Sequence, residues 1–183
     1  MSNTTDQVTT AEQLAAMPDD GNRYELVKGV LHMMSPAGRR HGRVAARLNA
    51  WVTVHVDQRD LGETYAAETG FLIQRHPDTV RAPDVAFVSR DRLAGRPDDI
   101  GFLPLAPDFV AEVVSPNDQP RNVEAKSRAW IDAGVRVVLV IDPQTSTVRE
   151  YRSGSAPRTY SSGLVDLGDI LPGFQLDVTE LFA

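Results

Sequence analysis

Asp108-Phe109-Val110-Ala111-Glu112-Val113-Val114-Ser115-Pro116, then Glu124-Ala125-Lys126-Ser127-Arg128-Ala129-Trp130, then Val135-Arg136-Val137-Val138-Leu139-Val140-Ile141, is the stretch that decides the fold. The first run reads as a buried strand and the second as a helix that Gly134 ends. The third is β-branched without alternation, as at the centre of a sheet. A strand–helix–strand unit of this kind gives a parallel, right-handed pair. Along the first strand, Phe109, Ala111 and Val113 point one way and Asp108, Val110, Glu112 and Val114 the other. Glu112 therefore shares a face with two valines, where a carboxylate needs a cation or a donor, or else takes up a proton. At about 100° per residue, Val123, Lys126, Ala129, Trp130 and Ala133 share one face of the helix, with Lys126 as its only charge.

Upstream, Arg81-Ala82-Pro83-Asp84-Val85-Ala86-Phe87-Val88 sets a second acid, Asp84, at the head of another apolar run. Two strand-borne carboxylates can hold a divalent cation, and a nearby ammonium can face the phosphate that the cation binds. The plainer readings are a capping aspartate, a glutamate paired with Arg or Lys, and a lysine that either snorkels past Trp130 to water or pairs with Glu112.

Further out, Thr9-Thr10-Ala11-Glu12 has the capping-box pattern of a short helix reaching about Met17. Lys28-Gly29 turns a hairpin between two short strands. Residues 40–58 carry Val44, Leu48, Trp51 and His55 on one helical stripe, with His55 as a core histidine. Residues 64–74 read as one strand, 90–107 as a mobile loop, and 148–152 as an outer strand. The apolar tail from Leu171 packs back on the body. The expected architecture is α/β, with a central mixed β-sheet flanked by helices. The whole chain, 1–183, reads as one domain with residues 1–8 flexible.

The chain has 183 residues, 42% hydrophobic and 24% charged, which suits a folded protein of ordinary size. It has no cysteine, which excludes disulfides, a thiolate zinc site and a cysteine nucleophile. The polar start lacks a leader's apolar core and no run is long enough to span a bilayer, so a cytoplasmic location is expected. A net charge of −6 argues against indiscriminate nucleic-acid binding but leaves room for a local basic face. Arg39, Arg40, Arg43 and Arg47 supply a candidate, either tracking a phosphate backbone or simply solvated. Glu25 is either an exposed hairpin carboxylate or a third acid beside the other two. His41 is either a helix-start imidazole or a proton-transfer group.

Taken in order, Tyr24-Glu25-Leu26 with Gly29, Ser35-Pro36 before His41, Pro83-Asp84-Val85-Ala86-Phe87, Glu112-Val113-Val114-Ser115-Pro116, Lys126, Ala133-Gly134-Val135 and Val140-Ile141-Asp142-Pro143 resemble the Uma-two family of restriction-endonuclease-like proteins. That family lies within the PD-(D/E)XK nuclease superfamily. The resemblance runs from about Tyr24 to the Leu171-Pro172-Gly173-Phe174 tail. It implies a restriction-endonuclease-like fold and a Mg²⁺- or Mn²⁺-dependent endonuclease acting on DNA. Asp84, Glu112 and the Val113 carbonyl would hold the ion, with Glu25 and His41 as further catalytic candidates. The superfamily motif sets a lysine two residues after the second acid, where this chain has Val114, and Lys126 would stand in for it. A double-strand cut wants two sites, so a homodimer is expected, with residues 148–151 and the tail as the contact. The alternative is a nucleic-acid-binding or assembly domain that keeps the fold without cutting.

Overall fold

The computed structural model describes residues 8–96 and 101–183. In chain order the elements are α1 (Ala11–Ala15), β1 (Arg23–Val27), β2 (Val30–Met34), α2 (Arg39–Arg59), β3 (Gly62–Ala66), β4 (Phe71–Gln74), β5 (Thr79–Arg81), β6 (Val85–Ser89), α3 (Arg90–Leu93), β7 (Phe109–Val113), α4 (Pro120–Asp132), β8 (Val137–Asp142), β9 (Thr147–Arg152), β10 (Arg158–Tyr160), β11 (Leu164–Asp166), β12 (Gln175–Asp177) and α5 (Val178–Phe182). Six strands form the central mixed sheet, in the order β10-β9-β8-β7-β6-β3. Four more make a smaller sheet, β2-β1-β5-β4, and β11 pairs with β12.

The β7–α4–β8 unit is the expected crossover, with β7 and β8 parallel from Phe109 opposite Val137 to Val113 opposite Ile141. Its strand faces divide the core as the alternation requires. Phe109, Ala111 and Val113 join Val44, Leu48 and Val52 of α2 on one side of the sheet. Val110, Val138 and Val140 pack with Trp130 of α4 on the other. A third, smaller cluster holds α1 on the second sheet through Leu14, Leu26 and Val80.

Several details differ from the sequence reading. The cap of α1 is Thr10 with Gln13, one residue later than expected, because the Gln13 side chain reaches back to both the Thr9 and Thr10 amides. Residues 64–74 are two strands in different sheets. The chain breaks at Glu68, where φ is 87°, and at Gly70, where any Cβ would strike the Phe102 ring. The stretch 90–107 opens with α3, and its far end packs down, with Leu105 and Ala106 buried and Leu103 bridged to Phe71. Residues 1–7, expected to be flexible, and 97–100 lie outside the described residues. Val8 packs against the α1 cluster. The strand at 147–152 is not the outer one, since β10 covers it.

Gly62 opens β3 at φ 151°, and a Cβ there would sit 2.2 Å from the Val88 carbonyl oxygen. The Gly62→Ala variant is therefore expected to lose about 2 kcal/mol or more, read from its denaturant midpoint. The contact is to main chain of the adjacent strand, which cannot swing aside.

Candidate active site

The two larger sheets meet where the chain passes from β5 through Ala82-Pro83-Asp84 into β6. In the antiparallel β6–β7 register Val85 faces Ala111, so one position further Asp84 lies across from Glu112. Asp84 is fixed by the Val113 amide, which donates to its Oδ2 at 2.7 Å, and by His41 Nε2 at 3.2 Å from the same atom. The imidazole comes from the first turn of α2. Its Nδ1 is buried without a hydrogen-bond partner.

Glu112 projects from β7 toward α4. Its Oε1 accepts from the Trp130 indole N–H at 2.8 Å, and its Oε2 from Lys126 Nζ at 2.9 Å. Lys126 thus turns inward and does not snorkel. It also reaches Glu25 Oε1 at 3.1 Å, which ties the second sheet to the first. Glu25 is no exposed hairpin carboxylate: it is 4% exposed, and it further accepts from Arg81 at 2.9 Å and the Ala82 amide at 3.2 Å. Spacing on α4 explains the geometry. Lys126 and Trp130 stand one turn apart on the buried stripe, so both side chains descend on one carboxylate.

Burial raises the Glu112 carboxyl to about 7; the Lys126 charge opposes the rise, and Glu25 and Asp84 add to it. Burial would lower the Lys126 ammonium, but the Glu112 and Glu25 carboxylates outweigh it and the net shift is upward. His41 is raised by its hydrogen bond to Asp84 against the pull of burial. Glu112 and His41 both bind their protons more tightly in the folded chain than in the unfolded one. The stability they contribute is present at low pH and drains as pH rises, from about 4.5 to 7 for Glu112 and through the raised value for His41. The metal-free protein should lose about 2 kcal/mol between pH 5 and pH 8, and Glu112→Gln should flatten most of that slope. Denaturant midpoints across that range are the measurement.

The donor set suits a hard cation. Two carboxylates and a main-chain carbonyl offer oxygen only, and each Glu112 oxygen keeps a lone pair beyond its present bond. Burial raises Glu112 most, and the nearby Glu25 and Asp84 charges add to the rise, so a divalent cation would relieve that part of it. Among the described residues there is no group of three or more His, Cys, Asp or Glu side chains placed to hold a metal. Any ion here would therefore lean on two acids and main chain.

Beside His41 opens a cavity of about 540 Å³ lined by Gly38, Arg39, Arg40, Arg43, Val114 and Gln144. The arginine stripe divides there. Arg47 binds the carbonyls of Glu180, Leu181 and Ala183, and Arg43 reaches that of Phe182, so these two also cap the C-terminal helix. His55 is the expected core histidine, bonded to the Pro172 carbonyl and edge-on to Phe174. The roles of Trp130 and Arg81 escaped the sequence reading. In the sequence Trp130 is only one apolar member of a stripe, and its four-residue spacing from Lys126 is the signal that sets both over one carboxylate.

No curated protein matches this sequence. Among solved structures, the chain superposes with a TM-score of 0.82 on a crystal structure from Anabaena variabilis ATCC 29413 described as "a putative nuclease belonging to DUF820". The two share 18% identity over 94% of this chain and 97% of the other, so the likeness is one of fold. That fold is the restriction-endonuclease-like α/β architecture. No helix among the described residues is long and apolar enough to cross a membrane. The profile of the family described as "Uma2: Putative restriction endonuclease" matches residues 11–179, and this chain belongs to that family.

Proposed function

We propose that the protein is a Mg²⁺- or Mn²⁺-dependent endonuclease that hydrolyses DNA phosphodiester bonds. The observation that carries the reading is the inward turn of Lys126 onto Glu112, whose partner across the strands is Asp84. An ammonium and two acids then share one sheet junction, although the lysine sits on a helix and not two residues after the second acid.

Asp84, Glu112 and the Val113 carbonyl would hold the ion. When bound, it supplies activation of water and neutralisation of phosphate charge. The remaining work falls to the chain. Trp130 and Lys126 grip one Glu112 oxygen each, so the carboxylate cannot rotate. Lys126 spends two N–H groups on Glu25 and Glu112, and the third can hold the attacking water or a phosphate oxygen. Glu25 and Arg81 keep that ammonium in place. His41 steadies Asp84, and its position at the cavity mouth suits proton transfer to or from the reacting oxygens. Arg39 and Arg40, which line the cavity without holding the C-terminus, would take the neighbouring phosphates.

The test is nicking of supercoiled plasmid in Mg²⁺ and in Mn²⁺, with EDTA as control. Relaxed circles that need the metal support the reading. Failure by folded protein in both metals, with DNA still retained on a filter, would favour the rival: a DNA-binding domain that does not cut. Val114 at the motif's lysine position is what speaks for that rival.

A further inference from the structure

The edge strand β2 is the most exposed apolar element among the described residues. Val30 is 51% exposed, Met33 66% and Met34 40%, three of the five large exposed hydrophobics found there. The strand reads Val30-Leu31-His32-Met33-Met34, with no Lys, Arg, Asp or Glu, no proline and no bulge. Those are the devices that keep sheet edges from pairing with one another. The other edges have them or are covered: Glu63 on β3, Arg158 on β10, and Leu103 alongside β4.

We infer that β2 is the self-association edge of this protein, pairing antiparallel with β2 of a second copy about a two-fold axis through His32. The hydrogen-bond parity fixes the register. The two-residue Lys28-Gly29 turn, with both φ values positive, makes Val27 and Val30 a hydrogen-bonded pair. Bonded and non-bonded pairs then alternate, so Val30, His32 and Met34 turn their main-chain groups toward β1. Leu31 and Met33 turn theirs to the open edge. Centring on His32 sets each Leu31 opposite the other copy's Met33, the arrangement that uses all of those free groups at once. It places Val30 against Met34 on one face and Leu31 against Met33 on the other, with His32 opposite His32 at the axis and no Lys, Arg, Asp or Glu facing another. A shift by one residue would set free groups against occupied ones. A second copy fits this edge because the run, free of Lys, Arg, Asp and Glu, sets apolar against apolar and His32 against His32 when reversed.

The contact is small, so the dimer is a weak one, with a dissociation constant in the micromolar range. Pairing sets the two β1 strands three strand spacings apart, about 14 Å. Each β1 carries a Glu25 bound to Lys126, and Glu25 lies opposite His32, so the two sites would lie on the same face of the joined sheet. That last consequence rests on the nuclease reading, but the pairing does not.

The native chain has no cysteine, which makes cross-linking decisive. Across the axis, His32 faces its own copy as a non-bonded pair with Cα atoms about 4.5 Å apart, within disulfide reach. Met33 is displaced from its own copy by two residues along the strand, roughly 8 Å away and beyond reach. Oxidised His32→Cys at 100 µM should run mostly as a disulfide dimer on a non-reducing gel, and Met33→Cys as a monomer. Circular dichroism would show both folded. Sedimentation of the native chain should show a monomer–dimer equilibrium that Met33→Pro abolishes, since that N–H faces the open edge and its loss leaves the β1 pairing intact. Equal cross-linking of the two cysteine variants, none in either, or a dimer that survives Met33→Pro would overturn the inference. None of these readouts depends on DNA cleavage.

Discussion

Glu112→Gln is expected to reduce metal-dependent nicking by about 10²–10³-fold or more while the protein stays folded. The substitution keeps the shape but removes the charge a cation needs. It also sets an amide where two donors, Trp130 Nε1 and Lys126 Nζ, now meet one carboxylate. The amide oxygen can satisfy one donor, and its NH₂ must face the other, at about 1–3 kcal/mol for the unmet group. Relief of the buried charge offsets part of that, so the thermal midpoint should fall only modestly. Asp84→Asn should lose activity to a similar degree, because the register sets Asp84 across from Glu112. Cleavage is measured as initial rate of supercoiled-plasmid loss, in Mn²⁺ as well as Mg²⁺. Full activity in Glu112→Gln would sink the assignment of this junction as the active site.

Lys126→Met should destabilise the protein by about 3–5 kcal/mol and silence it as a nuclease. Methionine matches the length of the stem but leaves Glu25 and Glu112 buried with their shared cation gone. Glu25 retains Arg81 and the Ala82 amide, so Glu112, left with Trp130 alone, carries most of the cost. It would meet that cost by staying protonated to higher pH, in the direction burial already drives it. The double variant Lys126→Met with Glu112→Gln separates the two effects. Neutralising the stranded acid should restore much of the stability and none of the cleavage. Denaturant unfolding supplies the stability cycle and plasmid nicking the activity. If the double variant were no more stable than Lys126→Met, the lysine would not be acting through Glu112.

Residues 148–151 and the tail, expected as a dimer contact, are not free to make one: Val148, Tyr151, Leu171, Phe174 and Leu181 are buried within the chain itself. Their apolarity serves the core on both sides of the central sheet. The exposed apolar run lies instead on β2, where alternate residues do not all find cover.

What could be read from the sequence is local or periodic. The β7–α4–β8 crossover, the Lys28-Gly29 hairpin and the α2 stripe announce themselves because a strand repeats every two residues and a helix every 3.6, whatever lies beyond. The place of Lys126 on the apolar stripe was legible for the same reason, with a path out to water and an inward partner both open. Tertiary structure alone decided that it turns inward, onto Glu112 and Glu25 together. Glu25, Arg81, Glu112 and Lys126 come from β1, β5, β7 and α4, and no local pattern encodes that two sheets meet at residues 82–84. The same limit hid the split of 64–74, which depends on Phe102 packing over Gly70, and the diversion of Arg47 to the carbonyls of α5. A sequence states which side chains must be buried or paired. Only the packed chain, by satisfying long-range donors and acceptors together, decides with whom.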